Sequence, residues 1–314
     1  MYNPINSKPF IKWAGGKGKL LGQLSDYLPL RLYYEDFTYI EPFVGGGAML
    51  FHILGHFPNI RSVIFNDINE DLIKAYRIVR DNPQPLIRGL AMMEKKYHAL
   101  DNEENRKDFY LDIRKRFNLH QVDDTTNTIY LIFLNKTCFN GLYRVNSRGE
   151  FNVPIGSYIH PEICNADTLL ADSALLNACK VKIVSGDFET MDSYMSPHAL
   201  NFFYFDPPYR PLSCTSSFTA YAKGNFNDDD QRRLADFCHG IGNDGALWML
   251  SNSDCSAKNA NDTFFEDLYR DYHIERVYAA RSINANPNKR GKLTELLIHN
   301  DYETNGNKSS FDVA

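Results

Sequence analysis

The sequence lacks the marks of a metal-binding, exported or membrane-spanning chain. Its six cysteines lie far apart without a Cys-x-x-Cys pair, and its nine histidines show no ligand spacing. This argues against zinc and, in a cytosolic protein, against a disulfide framework. The apolar runs are far too short to cross a bilayer, and the N-terminus has no signal-peptide pattern. We therefore expect a cytoplasmic protein with free thiols, no bound metal and no membrane partner.

An excess of positive charge is also missing, because the formal net charge is −5. The distribution of charge is more informative than the sum, since local clusters set the surface potential. Basic residues crowd the N-terminal and C-terminal regions: Lys8, Lys12, Lys17 and Lys19, then Arg276, Arg281, Lys289, Arg290 and Lys292. Such clusters are usually solvated surface, so alone they do not indicate a nucleic-acid partner.

The chain is long enough for one large α/β domain with an inserted module, at 314 residues and 43% apolar content. Strand and helix patterns alternate at first, stop after about residue 72 and resume near residue 170. We predict that residues 1–71 and 170–302 form one domain and that residues 72–169 form a helical and hairpin-like insert. Residues 303–314 are polar and are expected to be disordered.

The most informative stretch is an aromatic strand, Asn201 to Phe205, that stops at Asp206, Pro207, Pro208 and Tyr209. Ligands of open α/β sheets bind where such buried strands end. The prolines stiffen the loop and leave its carbonyls free to accept. A planar heterocycle with an exocyclic amine could stack on Tyr209 and donate to Asp206 and the Pro207 carbonyl. An ordinary turn is the alternative for this segment alone.

A glycine loop follows the first predicted strand, which begins at Phe37. Gly45 and Gly47 precede a helix, but no third glycine follows at the dinucleotide spacing and no phosphate-binding Lys-Ser/Thr is present. Asp67 ends the next strand, at the distance where an acid binds ribose hydroxyls. This pattern favours a nucleoside-like cofactor, and S-adenosylmethionine fits better than NAD.

Two further segments are candidates for the same cofactor. Trp13 and Lys17 flank Gly15-Gly16, which would permit close approach of the backbone to a ligand. Asp187, followed by Phe188, ends a later strand and could accept from an adenine amine. Residues 213–226 are polar and aromatic and are predicted to form a mobile loop over the site.

Residues 135–156 form a glycine-punctuated region rich in asparagine, arginine and aromatic side chains, which predicts a β-hairpin. Arginine suits the guanine edge in a major groove, leucine or proline can contact a thymine methyl, and phenylalanine can wedge into a base stack. A purely structural hairpin is an equal alternative on this segment alone.

Taken together, these motifs resemble the Dam family of DNA adenine-N6 methyltransferases, of the alpha class. The similar blocks are residues 10–17, 41–47, 66–69, 140–144, 149–154, 206–209 and 281–284. The resemblance implies a Rossmann-like S-adenosylmethionine-dependent methyltransferase fold with an inserted helical and β-hairpin DNA-recognition domain. It further implies a flipped adenine held by residues 206–209. The implied cofactor contacts are Trp13, Lys17, Glu41, Phe43, Gly45, Gly47, Asp67, Asp187, Phe188 and Asp206.

The resemblance to GATC-reading members also assigns DNA contacts. Lys12 would contact a guanine, Leu142, Arg144 and Pro154 would read the thymine and the other guanine, and Phe139 would be the wedge. Asn140 and Asn152 lie in the same blocks. Tyr143 stands where a smaller residue can occur, which bears on the outer-base preference.

We therefore predict methyl transfer from S-adenosylmethionine to adenine N6 of double-stranded DNA within GATC. The rivals are a methyltransferase acting on RNA or another amine or amide, and a non-catalytic DNA-binding relative. A monomer is expected, with a weak dimer as the alternative, and a cognate restriction endonuclease is a candidate partner.

Overall fold

A seven-stranded sheet organises the protein, in the order β3-β2-β1-β4-β5-β7-β6. The computed structural model describes residues 7–212, 226–279 and 293–305. Strands β1 to β5 are parallel, and β7 runs antiparallel between β5 and β6. The strands are β1 Phe37–Glu41, β2 Ile60–Asp67, β3 Lys180–Ser185, β4 Leu200–Phe205, β5 Leu247–Ser253, β6 His273–Ala279 and β7 Leu293–His299.

The two faces of the sheet are covered by different hydrophobic clusters, which explains why the central strands are apolar without interruption. Tyr39 and Tyr204 belong to the larger cluster, whereas their neighbours Ile40 and Phe203 belong to the smaller one. Successive side chains of a strand point to opposite faces, so a strand covered on both sides needs an apolar residue at every position. This arrangement confirms the Rossmann-like methyltransferase fold expected from the sequence.

Nine α-helices are found within the described residues. They are α1 Leu21–Asp26, α2 Ala48–His56, α3 Glu70–Asp81, α4 Pro83–His98, α5 Glu103–Leu119, α6 Asp124–Thr137, α7 Ala166–Leu176, α8 Asp228–Asn243 and α9 Phe264–Leu268. Side chains of α2, α3 and α7 join the larger cluster, and those of α8 join the smaller one. None of the helices in the described part of the chain could cross a membrane.

The insert consists of helices α4 to α6 and a hairpin with bridges Cys138↔Ile155 and Val145↔Phe151. The predicted boundaries at residues 72 and 169 fall within α3 and α7. Helix α3 contacts β2 and β3 as well as α4 and α6, and α7 contacts both α2 and α4. These two helices therefore join the sheet layer to the insert.

Several sequence predictions concern residues outside the described ranges. These are most of the predicted loop 213–226, the basic segment 280–292 and the tail from 306. Phe226 is the one residue of that loop that the structure describes.

Candidate active site

The carboxyl ends of β1 and β4 form the centre of the candidate site. Strands β2 and β3 lie on one side of β1, and β4 and β5, which follow later in the chain, lie on its other side. Such a switch point opens a crevice at the carboxyl edge of the sheet. Glu41 ends β1, Asp67 ends β2 and Asp206 follows β4. The predicted acids therefore meet at one edge.

The glycine loop after β1 adopts backbone conformations that favour glycine. Gly45 has φ +48° and Gly47 has φ +76°. A Cβ atom at Gly47 would lie 2.5 Å from the Tyr76 hydroxyl oxygen, and that hydroxyl donates to the Gly45 carbonyl at 2.9 Å. The loop is thus held against helix α3, with no room for a larger residue at position 47.

Asp67 fastens the same loop from β2. Its two carboxylate oxygens accept from the backbone amides of Gly45 at 3.1 Å and Asn69 at 2.9 Å. Burial nevertheless raises the pKa of Asp67 to about 6. The neighbouring Asn66 amide donates to the carbonyls of Pro42 and Gly186, which ties three strand ends together.

Trp13 connects the glycine loop to the hairpin of the insert. A Cβ atom at Gly45 would lie 2.9 Å from Cδ1 of the Trp13 indole. The indole also stacks on the buried ring of Tyr143, with centroids 5.0 Å apart and planes at 25°. The Tyr143 ring therefore faces the predicted cofactor segment, although it lies in a block that was predicted to contact DNA.

Asp206, Lys17, Tyr209 and Glu295 form a closed polar cluster. The Lys17 ammonium is 2.7 Å from Oδ1 of Asp206, donates to the Gly15 carbonyl at 2.7 Å, and lies 4.5 Å from the centroid of the Tyr209 ring. The Tyr209 hydroxyl donates to Oε2 of Glu295 at 2.7 Å. Burial raises the pKa of Asp206, and Lys17 acts in the opposite direction. Lys17 itself is only 3% exposed.

A second set of contacts braces the loop that carries Asp206 and Tyr209. The buried Gln231 amide on α8 donates to the Pro208 carbonyl at 3.1 Å and accepts from the Asn252 amide at 3.1 Å. Asn252 in turn accepts from the backbone amide of Arg210 at 3.2 Å. The loop is therefore rigid on both sides of Tyr209, which a preorganised site requires.

Glu41 lies beneath the cluster and is buried, at 2% exposure. Its carboxyl group accepts from the Tyr39 hydroxyl at 2.8 Å. Burial raises the pKa of Glu41 well above its usual value, and the nearby carboxylates of Asp206 and Asp67 add to this effect.

Aromatic side chains line the side of the site towards β3. Phe43 packs on Phe188 and Phe226, with ring centroids 5.4 and 5.7 Å apart. Asp187 is exposed, and its carboxylate accepts from Arg233 at 2.5 Å and from the backbone amide of Glu189 at 3.0 Å. Its predicted adenine partner would therefore have to share the carboxylate with Arg233.

The predicted DNA contacts gather on the hairpin and beside it. The backbone amide and carbonyl of Lys12 form two hydrogen bonds of 2.9 Å with the side-chain amide of the buried Asn135. The Lys12 side chain passes so close to Gly141 that a Cβ atom there would lie 2.5 Å from Cδ of Lys12. Arg144 donates from Nε to the Asn152 side chain at 2.7 Å and from Nη2 to its carbonyl at 3.3 Å. Lys12 and the hairpin thus form one surface.

Most of this surface is exposed. The Phe139 ring is 53% exposed, and Asn140 next to it has φ +56°. Pro154 is exposed and its carbonyl accepts from the Phe139 amide at 2.9 Å, while Leu142 is half-buried. The two hairpin strands therefore present Phe139 and Pro154 next to each other.

Several residues of the site were not found by sequence reasoning. They are Tyr76, Tyr143, Phe226, Gln231, Asn252 and Glu295. Gln231 and Glu295 are single polar residues in elements whose patterns indicate only a helix and a strand. The aromatic composition of residues 213–226 was a signal for Phe226, and the polar end of β5 was a signal for Asn252.

The chain is similar in sequence to known DNA methyltransferases. Residues 13–283 match the model of the D12 class N6 adenine-specific DNA methyltransferases. The Type II methyltransferase M.MjaIII of Methanocaldococcus jannaschii is 48% identical over 93% of this chain and 99% of its own length. The Type II methyltransferase M1.LlaDCHI of Lactococcus lactis subsp. cremoris is 37% identical over 95% and 97%.

A DNA adenine methylase of Vibrio cholerae is 34% identical over 92% of this chain and 95% of its own. Among solved structures, an rRNA methyltransferase, aviRa from Streptomyces viridochromogenes, aligns with 90% of this chain and 83% of that chain, at a TM-score of 0.36 and 11% identity.

The chain belongs to the D12 class of N6 adenine-specific DNA methyltransferases. It is an adenine-specific DNA methyltransferase whose methyl donor is S-adenosylmethionine and whose substrate is duplex DNA. The predicted resemblance, enzyme class and cofactor are thereby confirmed.

Proposed function

We propose that the enzyme methylates N6 of the adenine in GATC, and that it rotates this adenine out of the duplex into the crevice between β1 and β4. Extrusion is required on physical grounds, because N6 is not accessible to a methyl donor while the base is stacked. The observation that carries the proposal is the cluster of Asp206, Lys17 and Tyr209 at the switch point of the sheet.

Within that cluster, Asp206 is the acceptor of the adenine amine. Lys17 occupies Oδ1, so Oδ2 is the oxygen assigned to the N6 amino group. The Pro208 carbonyl already accepts from Gln231, so the Pro207 carbonyl is assigned as the second acceptor. When these two oxygens accept from both N–H bonds of the amino group, the nitrogen lone pair turns towards the methyl group. The ring of Tyr209 stacks on the base. The enzyme therefore acts by positioning and electrostatic stabilisation.

The residues around the glycine loop fit the cofactor. S-adenosylmethionine would supply an electrophilic sulfonium methyl group: its S–CH3 bond would break as the N6–CH3 bond forms, S-adenosylhomocysteine would leave, and the proton released from N6 would pass to water. One end of the cofactor is proposed to be held by Trp13, Lys17, Glu41, Asp67 and the backbone of Gly45 and Gly47. The aromatic cluster of Phe43 and Phe188, with Asp187 beside it, is proposed to hold the adenine moiety.

The recognition surface is proposed to read GATC from the major groove. Lys12 and Arg144 are assigned to the guanines, Leu142 and Pro154 to the thymine, and Phe139 to the space left by the flipped base. Asn140 and Asn152 complete the surface. Arg144 presents a planar fork that suits guanine O6 and N7. In the free protein its Nε atom donates to the Asn152 side chain on the facing strand.

Relatives named DNA adenine methylase and relatives named Type II methyltransferase both support this proposal. The Type II names support a cognate restriction endonuclease as a partner. We further propose residues 72–169 as the recognition domain, action as a monomer and a cytoplasmic location.

The test is transfer of labelled methyl to two duplexes at one salt concentration, one containing GATC and the other a scrambled site that retains its adenines. Transfer to the GATC duplex alone supports the proposed specificity. Equal transfer to both duplexes overturns it.

A further inference from the structure

Glu295 is a polar residue of the site that no sequence motif explains. It lies on β7, opposite Ser253 of β5 and Val277 of β6. The next three residues of the strand, Leu296 to Ile298, are fully buried and apolar. The Glu295 side chain is only 17% exposed, so its carboxylate is largely removed from water. A largely buried carboxylate is costly unless it is paired.

Its partners are two residues of the catalytic cluster. Oε2 accepts from the Tyr209 hydroxyl at 2.7 Å and lies 4.0 Å from the Lys17 ammonium. That ammonium also contacts Oδ1 of Asp206 and lies over the Tyr209 ring. Lys17, Tyr209 and Glu295 therefore contact one another, and Lys17 links these three residues to Asp206.

We propose that Glu295 is a positioning residue, which fixes the plane of the Tyr209 ring and holds Lys17 between two carboxylates. This inference rests on the proposed roles of Asp206 and Tyr209. A tyrosine ring on a loop can rotate about its side-chain torsions, and the bond to Glu295 anchors its far end. The same carboxylate sets where Lys17 sits, and hence which oxygen of Asp206 is left for the adenine amine.

Glu295 also acts on Asp206 through its charge. Asp206 is faced by Lys17, which lowers its pKa, and by Glu295, which raises it. The neighbouring groups Tyr39, Glu41, Tyr204 and Tyr209 also face Asp206, and its charge raises the pKa of each. Replacing Glu295 by glutamine removes the negative charge but keeps a carbonyl that can accept from Tyr209. The pKa of Asp206 should then fall.

The experiment compares Glu295→Ala, Glu295→Gln, Tyr209→Phe and the double variant Glu295→Ala/Tyr209→Phe in the full-length enzyme with a saturating GATC duplex. Glu295→Ala is expected to lower kcat about 10- to 100-fold, because a small misplacement of a reacting group has effects of this size. Direct binding of DNA should change less than kcat. Glu295→Gln should restore most of kcat, with the acid limb of its pH profile moved to lower pH.

The double variant should be no slower than Glu295→Ala, because both single changes remove the same bond. Additive losses would overturn the tethering role, and an unshifted acid limb in Glu295→Gln would overturn the electrostatic role. Equal losses in the Ala and Gln variants, accompanied by a lower midpoint of thermal unfolding, would make Glu295 a structural residue instead. The wild-type enzyme and Asp206→Ala are measured in the same assay, so that failure of the proposed site can be recognised. If Asp206→Ala transfers methyl groups as fast as the wild type does, the proposed site itself is wrong.

Discussion

The proposed catalytic edge and the proposed recognition hairpin satisfy their polar groups in opposite ways. Asp206, Lys17 and Glu295 are largely buried, and the Lys17 ammonium is paired with both carboxylates. On the hairpin, Arg144 is exposed and bonds to Asn152 on the facing strand, and Phe139 has an uncovered ring. The first region is a network of buried, paired side chains, whereas the second consists of exposed side chains on the surface.

This difference has a physical consequence for function. A network in a low-dielectric crevice loses much when one member is removed, because the remaining partners are left unpaired. An exposed side chain that exchanges a protein partner for a base edge affects one base pair, with little effect on the rest of the molecule. Turnover should therefore be sensitive to changes at the catalytic edge, and sequence discrimination to changes on the hairpin.

The largest expected effect is that of Asp206→Ala. Transfer to a GATC duplex should fall by at least about 10²-fold, since the variant loses a preorganised acceptor of the reacting amine. Much of the DNA affinity should remain, because the recognition surface is untouched. Single-turnover transfer and equilibrium binding of the same duplex measure the two effects.

The matched control for this change is Asp36→Ala, which removes an exposed carboxylate paired with an exposed Arg61 at the opposite edge of the sheet. It should leave both quantities unchanged. Retained turnover in Asp206→Ala would refute the role assigned to this carboxylate.

Lys17→Gln should change the pH dependence as well as the rate. Lys17 lowers the pKa of Asp206, while burial and Glu295 raise it, so removing the ammonium leaves only the two raising effects. Transfer requires the ionised carboxylate, so the acid limb of the kcat profile should move to higher pH. This is the opposite direction to that expected for Glu295→Gln.

Lys19→Gln is the control for Lys17, because Lys19 is an exposed lysine two residues further along the chain. Its profile should match that of the wild type. A Lys17→Gln profile with an unchanged acid limb would mean that Asp206 is not the group that limits activity at low pH.

Arg144→Ala should affect discrimination more than turnover on the cognate site. Loss of a bidentate guanine contact is expected to reduce discrimination at one base pair by about 1–3 kcal/mol. Relative kcat/KM values for GATC and for duplexes substituted at each position measure this. Arg148→Ala at the hairpin tip, where the side chain is 78% exposed and paired with Glu150, is the control. A uniform loss on all duplexes would make Arg144 a phosphate contact.

The comparison of the two regions also explains what the sequence could predict. Strand ends and the glycine loop follow from local patterns, so Asp67, Gly47 and Asp206 were found at one edge of the sheet. The partners that close the network come from distant segments, such as Gln231 on α8 and Glu295 on β7, and neither lies in a recognisable motif. Strand order alone brings Glu295 within reach of Tyr209, and a single sequence does not encode that order locally.

Tyr143 shows the same limit within a recognised block. Its sequence neighbours Leu142 and Arg144 suggested a DNA-facing side chain, whereas the structure buries its ring against Trp13. Alternate residues of an extended segment face opposite sides, so neighbours of a base-reading residue point towards the protein.

The smallest effect is expected for a variant that tests the stack of Tyr143 on Trp13, which is the contact that joins the two regions. Tyr143→Leu keeps an apolar side chain but removes the ring, and an aromatic pair contributes about 0.5–1.5 kcal/mol beyond its buried area. We expect the free energy of unfolding in urea to fall by at least that amount, because the substitution also removes buried area. Binding of S-adenosylmethionine should weaken, because Trp13 loses the ring that supports it. Tyr143→Phe retains the stack and should bind the cofactor as the wild type does. Unchanged cofactor binding in Tyr143→Leu would show that the hairpin and the cofactor segment touch without influencing each other.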